Sequence, residues 1–395
     1  MSGFLPDDIV VDILSRLPVK SLSRFRCVCK PWFKLFSNPN FVKMHHNHGV
    51  EKEKCSLMLI DNDLMYSSID YYDSSITSYE AVEIHYPFKS KENGGVHIRG
   101  ACNGLLCIDP PSNRDLICIW NPSTKEYKKI PEPRDEFPSH LDVDHGGITY
   151  GFGYDCNNDN YKVVRIMAFY AYDNNDLRVY YGSTPLIGGS EASDVIVSFD
   201  LGDERFTDVS PLVHLNDDLY ITVGALGECL CIVGKSYEVG VEVWVMKDYE
   251  VRESWTKLFT IAQHSLLGTF EELTPIRSFK NGGILLNVLS RNLNDDFCYN
   301  FALVLYDPKL ERARTLKISG GNWSDADTYV ESLVSLNMGT YVNGQEQVDE
   351  ALEKMKKLKL RKRKNKKNKK KLIYATVCVT TQNNLADQSL SFRVN

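Results

Sequence analysis

The chain has 395 residues, 43% hydrophobic and 25% charged, a balance that fits soluble globular folding and excludes collagen-like and disordered classes. Its net charge of −6 conceals an asymmetry: residues 354–371 hold 13 Lys or Arg and no acid, so the remaining 33 bases face 52 acids and the body stands near −19. A body so charged repels nucleic acid, so no nucleic-acid partner is expected for it. No apolar run reaches the ~18 residues of a membrane helix, so no membrane partner is expected either. The opening MSGFLPDDIVVDIL carries acids where a secretory leader carries bases; the expected location is the cytoplasm and/or the nucleus. Eleven cysteines scattered from Cys27 to Cys378 lack the dense spacing of a disulfide scaffold and are expected to be reduced.

Residues 5–48 read as compact helices. Pro6 suits a first helical turn, Asp7 and Asp8 favour the positive end of the dipole, and Ile9, Ile13, Leu14 and Leu17 supply an apolar stripe that ends at Pro18. A second helix is predicted from Val19 to Arg26 and a third around Trp32–Phe36, before Asn38-Pro39 resets the chain. Fewer than fifty residues rarely build a self-sufficient core, so this segment is expected to dock on something else. A cap packed on its own β domain is the competing reading.

From about residue 50 the texture changes to short β-rich runs broken by Gly, Asn and Asp. Four units share a strand, a polar turn and a second strand: LICIWNPSTKEYKKIP at 116–131, VIVSFDLGDERFTDV at 195–209, VEVWVMKDYEVRESWTKLFTI at 241–261 and ALVLYDPKLERARTLKI at 302–318. Three are preceded by another apolar run, NGLLCI at 103–108, LGECLCIV at 226–233 and GGILLNVL at 282–289. Units of three or four strands at such spacing fit the blades of a β-propeller, six or seven in the available length. A sandwich or jelly roll fits the same strands, because strand alternation does not report how sheets are arranged.

The string LPDDIVVDILSRLPVKSLSRFRCVCKPWFKLFSNPNFVKMH at 5–45 resembles an F-box, through Leu5-Pro6, Ile13-Leu14, Leu17-Pro18-Val19-Lys20-Ser21-Leu22, Arg24, Val28-Cys29-Lys30 and Trp32. The remainder is similar to the plant F-box-associated, kelch-like region, through NGLLCI, WNPSTKEYKKIP, YGFGYD with YKVVRI, SFDLGDERF and YVESLVSL. The resemblance implies an all-α, three-helix F-box over residues 1–48, an all-β, propeller-like substrate-binding domain over 50–345 and a Lys-rich tail over 346–395. It further implies a substrate-recognition subunit of a Skp-cullin-F-box ubiquitin ligase, not itself an enzyme and without a cofactor. The implied partners are a Skp-type adaptor, through it a cullin, and a protein substrate. Adaptor contacts fall on Leu5, Pro6, Ile9, Ile13, Leu14, Leu17, Pro18, Val19, Leu22 and Trp32. Relatives of this pattern include immune-regulating and S-locus-type F-box proteins, the latter recognising stylar ribonucleases; the Lys-rich tail leans toward the former. A non-degradative scaffold is the alternative.

No residue pattern argues for catalysis. Cys27/Cys29 and Cys229/Cys231 are C-x-C pairs rather than C-x-x-C metal pairs, and the second reads as core packing on one strand face. His45, His46 and His48, on a helix leaving the F-box, read as solvent-facing histidines without a cysteine partner for zinc. Gly234-Lys235-Ser236 lacks the upstream glycine of a phosphate loop, and Gly151 and Gly153 lack the third glycine of a dinucleotide turn. Lys359, Arg361, Lys362, Arg363 and Lys364 form a candidate nuclear-import segment. Loops around 133–146, 172–192 and 262–275 are the candidate substrate contacts.

Overall fold

A computed structural model describes residues 5–336 apart from short stretches, the longest being 69–77, 88–95, 131–142, 186–194 and 210–219, together with 374–379 and 392–394. The basic segment with Lys359, Arg361, Lys362, Arg363 and Lys364 lies outside the described residues, as does most of the three candidate loops.

Four helices open the chain, the three implied for the F-box and the one leaving it: α1 (Asp7–Leu14), α2 (Val19–Phe25), α3 (Lys30–Phe36) and α4 (Pro39–Glu51). Asn38-Pro39 is a start signal and not only a break. The Asn38 side chain accepts from the amides of Asn40 and Phe41, and Pro39 occupies the first turn, where its missing N–H costs nothing. Helix α1 is apolar on two sides. Val11 and Leu14 turn inward, while Ile9 and Ile13 lie four residues apart on the exposed side, so the single stripe expected from the sequence divides between two faces.

The remaining described residues form six open sheets of largely antiparallel strands. The first joins Ser56–Asp61, Leu64–Ser68 and Ser78–Glu83 to Trp323–Tyr329, which pairs directly with Ser56–Asp61, while Lys317–Ser319 adds a parallel edge. The second contains His97–Cys102, Leu105–Asp109, Cys118–Trp120 and Tyr127–Lys129; the third Val143–Asp155, Asn160–Asp173, Asp176–Tyr181 and Thr184–Pro185. Candidate loop 172–192 therefore contains strand. The fourth sheet pairs Val195–Asp200 with Arg205–Val209 on one side and with Tyr374–Val379 on the other, followed by Phe392–Val394. The fifth holds Tyr220–Leu226, Cys229–Ser236, Gly240–Met246 and Trp255–Ile261, and the sixth Glu272–Ser278, Ile284–Asn292, Asp295–Asp307 and Arg312–Thr315. All four strand-turn-strand units read from the sequence are hairpins here.

One turn design recurs. Asn121, Asp155, Asp200 and Asp307 each accept the amides two and three residues on. Four residues after each comes a left-handed residue, Lys125, Asp159, Glu204 or Glu311, with φ between 49° and 65°. The short polar side chain substitutes for a backbone acceptor and closes the hairpin tightly. Apolar clusters fill the space between neighbouring sheets, the fifth and sixth sharing Val243, Phe259, Leu286 and Tyr306.

Candidate functional site

Among the expected contact residues of the helices, Leu5, Ile9 and Ile13 are 57%, 44% and 46% exposed, and Pro6 and Pro18 are exposed as well. Leu14, Val19 and Leu22 are buried in the helices' own core, and Leu17 and Trp32 pack partly against it. Three exposed apolar side chains of the helices stand outside the expected set, Val28 at 65%, Phe33 at 45% and Val50 at 39%. Phe33 follows Trp32 in an apolar run, where sequence alone does not separate the inward ring from the outward one. Trp32 packs between Phe25 and Phe36 with its ring tilted by about 50° to each, and Phe33 lies under the Arg26 guanidinium.

The opposite side of the helices is covered by the β domain. Lys43 of α4 pairs with Asp159 at 2.5 Å and lies over the Tyr154 ring, in the turn between the first two strands of the third sheet. Lys280, in the corresponding turn of the sixth sheet, donates to the Glu51 carbonyl. Leu333, which follows the last strand of the first sheet, is buried in the helical core beside Leu14, Leu22 and Phe41.

His45 and His48 are both 7% exposed, contrary to the solvent-facing expectation, because α4 turns one face onto the chain at Ser15–Val19 and Val330. The His45 Nε2–H donates to the Leu17 carbonyl at 2.8 Å, while Nδ1 is buried without a hydrogen-bond partner. Burial lowers the His45 pKa, an effect reinforced by His48 and Lys54 and opposed by the Leu17 carbonyl. Ser15 Oγ lies 3.1 Å from His48 Nδ1 but donates its one proton to the Asp12 carbonyl. The imidazole must therefore donate to this hydroxyl and cannot deprotonate it, so the pair lacks the geometry of a nucleophile with its base.

Cys231 is core, with its thiol pushed up to about 12 by burial, and Cys229 packs against the same cluster; Cys27 and Cys29 are exposed. Gly234-Lys235-Ser236 is the end of a strand rather than a phosphate-binding turn, and Gly151 and Gly153 lie inside Val143–Asp155. No group of three His, Cys, Asp or Glu side chains among the described residues is arranged to hold a metal ion.

Strand register separates the two ends of the β domain. The turns at 103–104, 121–126, 155–160 and 278–284 touch the helices or the 330–336 segment that packs with them. The antiparallel partners Lys129–Cys118, Val143–Ala171, Ile261–Val241 and Glu272–Leu289 stand at the far ends of the same kind of hairpin. The connections 130–142 and 262–271 both start and finish at those far ends, away from the helices.

Comparison with known proteins gives a consistent pattern. The F-box domain family matches residues 4–44, and the F-box associated beta propeller domain family matches 55–186 and 182–336. The F-box protein CPR1 of Arabidopsis thaliana is 29% identical over 388 residues, spanning 84% of this chain and 88% of that protein. An F-box/LRR-repeat/kelch-repeat protein of the same plant is 30% identical over 296 residues, spanning 66% and 78%. An F-box/kelch-repeat protein, also from Arabidopsis thaliana, is 27% identical over 296 residues, spanning 65% and 79%.

Proposed function

Because the chain belongs to the plant F-box proteins that carry an F-box-associated domain, we propose that it is a substrate-recognition subunit of a Skp-cullin-F-box ubiquitin ligase. The observation that carries this reading is the apolar stripe of Leu5, Ile9 and Ile13, which the β domain leaves exposed on the helical unit. A Skp-type adaptor is its partner, and the cullin is reached through the adaptor. The six sheets act as six blades of a propeller, a reading supported by the pairing of Trp323–Tyr329 with Ser56–Asp61, which brings the two ends of the β region into one sheet.

Substrate is gripped at the end of the propeller away from the helices, where 130–142 and 262–271 emerge. The receptor contributes no catalytic group. Holding a substrate lysine near a charged conjugating enzyme raises its effective concentration, and position alone accelerates transfer. Immune receptors are the first substrates to assay, on the strength of the resemblance to immune-regulating F-box proteins and of the Lys-rich segment. That segment acts as a nuclear-import signal, which places the protein in the nucleus as well as the cytoplasm.

The test is purification of the full chain from plant cells beside Ile13→Asp. Wild type is expected to retain adaptor and cullin and to lower the abundance of its bound proteins, whereas Ile13→Asp retains the bound proteins, loses the adaptor and raises their abundance. Absence of adaptor from the wild-type complex refutes the proposal. Adaptor retention without ubiquitin on any bound protein favours the non-degradative scaffold.

A further inference from the structure

We propose that residues 330–336 form a strap that fixes the F-box rigidly on the β domain, with Asn121 as its positioning residue. The inference rests on the ligase reading above and deepens it: this receptor aims its substrate as well as binding it.

The strap is extended chain, yet almost every residue in it is held. Leu333 is 3% exposed in the helical core, Val334 packs against both that core and the cluster between the second and third sheets, and Leu336 packs against the latter cluster alone. The fully buried Asn121 donates from one amide nitrogen to the Ser332 carbonyl at 3.1 Å and to the Val334 carbonyl at 2.8 Å. Its carbonyl oxygen accepts from Ser123 and Thr124, so the residue that closes the hairpin turn also grips the strap. Every hydrogen-bonding direction of the Asn121 side chain is thereby used, as a buried amide requires.

Three further contacts extend the grip. Glu126 Oε2 accepts from the Ser335 hydroxyl at 2.6 Å and from the Leu336 amide at 3.0 Å, and Ser123 Oγ accepts from the Ser332 amide. Gly104, at φ +81°, lets the strap pass so close that a Cβ there would stand 2.3 Å from Ser332 Cβ. From the same segment, Val330 stands so near Gly49 of α4 that a Cβ there would lie 3.0 Å from Val330 Cγ1. Other ties across the junction include Lys43 to Asp159 and Lys280 to Glu51, whose exposed side chains are poor determinants of orientation. A short segment buried on both sides, with its carbonyls and amides hydrogen-bonded, leaves the two domains little room to swing.

The experiment measures that swing in the full chain bound to its adaptor. Spin labels on unnatural amino acids at Lys20 and Glu253, both exposed, report the distribution of distances between α2 and the fifth sheet by pulsed dipolar spectroscopy. Wild type is expected to give one distance, no broader than the labels themselves contribute. Asn121→Ala and Glu126→Ala are expected to widen the distribution at least about twofold while adaptor affinity changes less than about twofold, because local release need not disturb the exposed docking stripe. Amide exchange in Gly240–Met246 serves as the check that the propeller is intact.

A broad wild-type distribution overturns the proposal, as does a narrow one in both variants. If Asn121→Ala fails to fold, the wild-type width and the more peripheral Glu126→Ala still decide. Failure of the wild-type chain to bind adaptor overturns the ligase reading instead, and the distance measurement on the free chain still judges the strap.

Discussion

Replacing Leu5, Ile9 and Ile13 together by alanine separates docking from folding. Full burial of a Leu or Ile side chain is worth ~1.5–3 kcal/mol. The exposed fractions of these three, 57%, 44% and 46%, therefore leave roughly 2–4 kcal/mol to be gained when a partner covers them. At 1.4 kcal/mol per tenfold, the triple variant should bind adaptor roughly 30- to 700-fold more weakly. The methyl that each alanine keeps places the expectation toward the lower end. Because these positions contribute little to the internal core, thermal unfolding should stay close to wild type. Leu14→Ala is the counterpart: at 4% exposure it fills the helical core, so it should cost about 2–5 kcal/mol of stability. Adaptor affinity is read by calorimetry and stability by urea titration on the same preparations. Triple-alanine affinity within about threefold of wild type, a change near 0.7 kcal/mol, refutes docking through this stripe.

Four other outcomes are expected. Gly104→Ala places a Cβ against Ser332 at positive φ, and should lower stability by roughly 2 kcal/mol or more in a urea titration. His45 is held neutral in the fold, chiefly by burial; below about pH 6.5 the unfolded chain binds the proton more readily, so stability should fall as pH drops through that value and be flat above it. His45→Gln should flatten the difference between urea titrations at pH 7.5 and 5.5. Removing residues beyond 345 deletes Tyr374–Val379 from the fourth sheet, so amide exchange across Val195–Asp200 should accelerate, and unchanged protection would disprove that pairing. Fusing residues 345–375 to a fluorescent protein should enrich it in the nucleus, and a uniform distribution would remove the import reading.

The sequence was legible where local chemistry decides the outcome. Asn121, Asp200 and Asp307 sit in N-P-S-T-K, D-L-G-D-E and D-P-K-L-E turns, each flanked by apolar runs, and each became a hairpin because an Asx side chain can close a turn without distant help. The exposed apolar stripe was only partly legible, since Ile9 and Leu14 look alike as residues and differ only in which side of α1 they occupy. His45 and His48 were misjudged for a related reason: their burial depends on the chain at Ser15–Val19 and Val330, and polar residues on a helix show no local sign of being covered. The strap is less legible still. In YVESLVSL, Leu333 meets helices about three hundred residues earlier, and Asn121 grips a segment 211 residues away. Contacts of such separation leave no periodicity in the segment itself.

The position of Leu333 also sets an order of events during synthesis. The F-box leaves the ribosome first, but its core lacks this side chain until almost three hundred further residues have been made. At ~5–20 residues per second that interval is on the order of 15–60 s. Throughout it the helices hold an open apolar gap where Leu333 belongs, and α4 has no sheet turns to rest on. A chain that stops early, or whose β domain fails to fold, keeps that gap for good. Its F-box should be less ordered and bind the adaptor less well, so complete receptors would enter the ligase ahead of broken ones. On the proposed receptor reading, seating Leu333 in the core of the helices makes entry into the ligase depend on completed folding of the β domain.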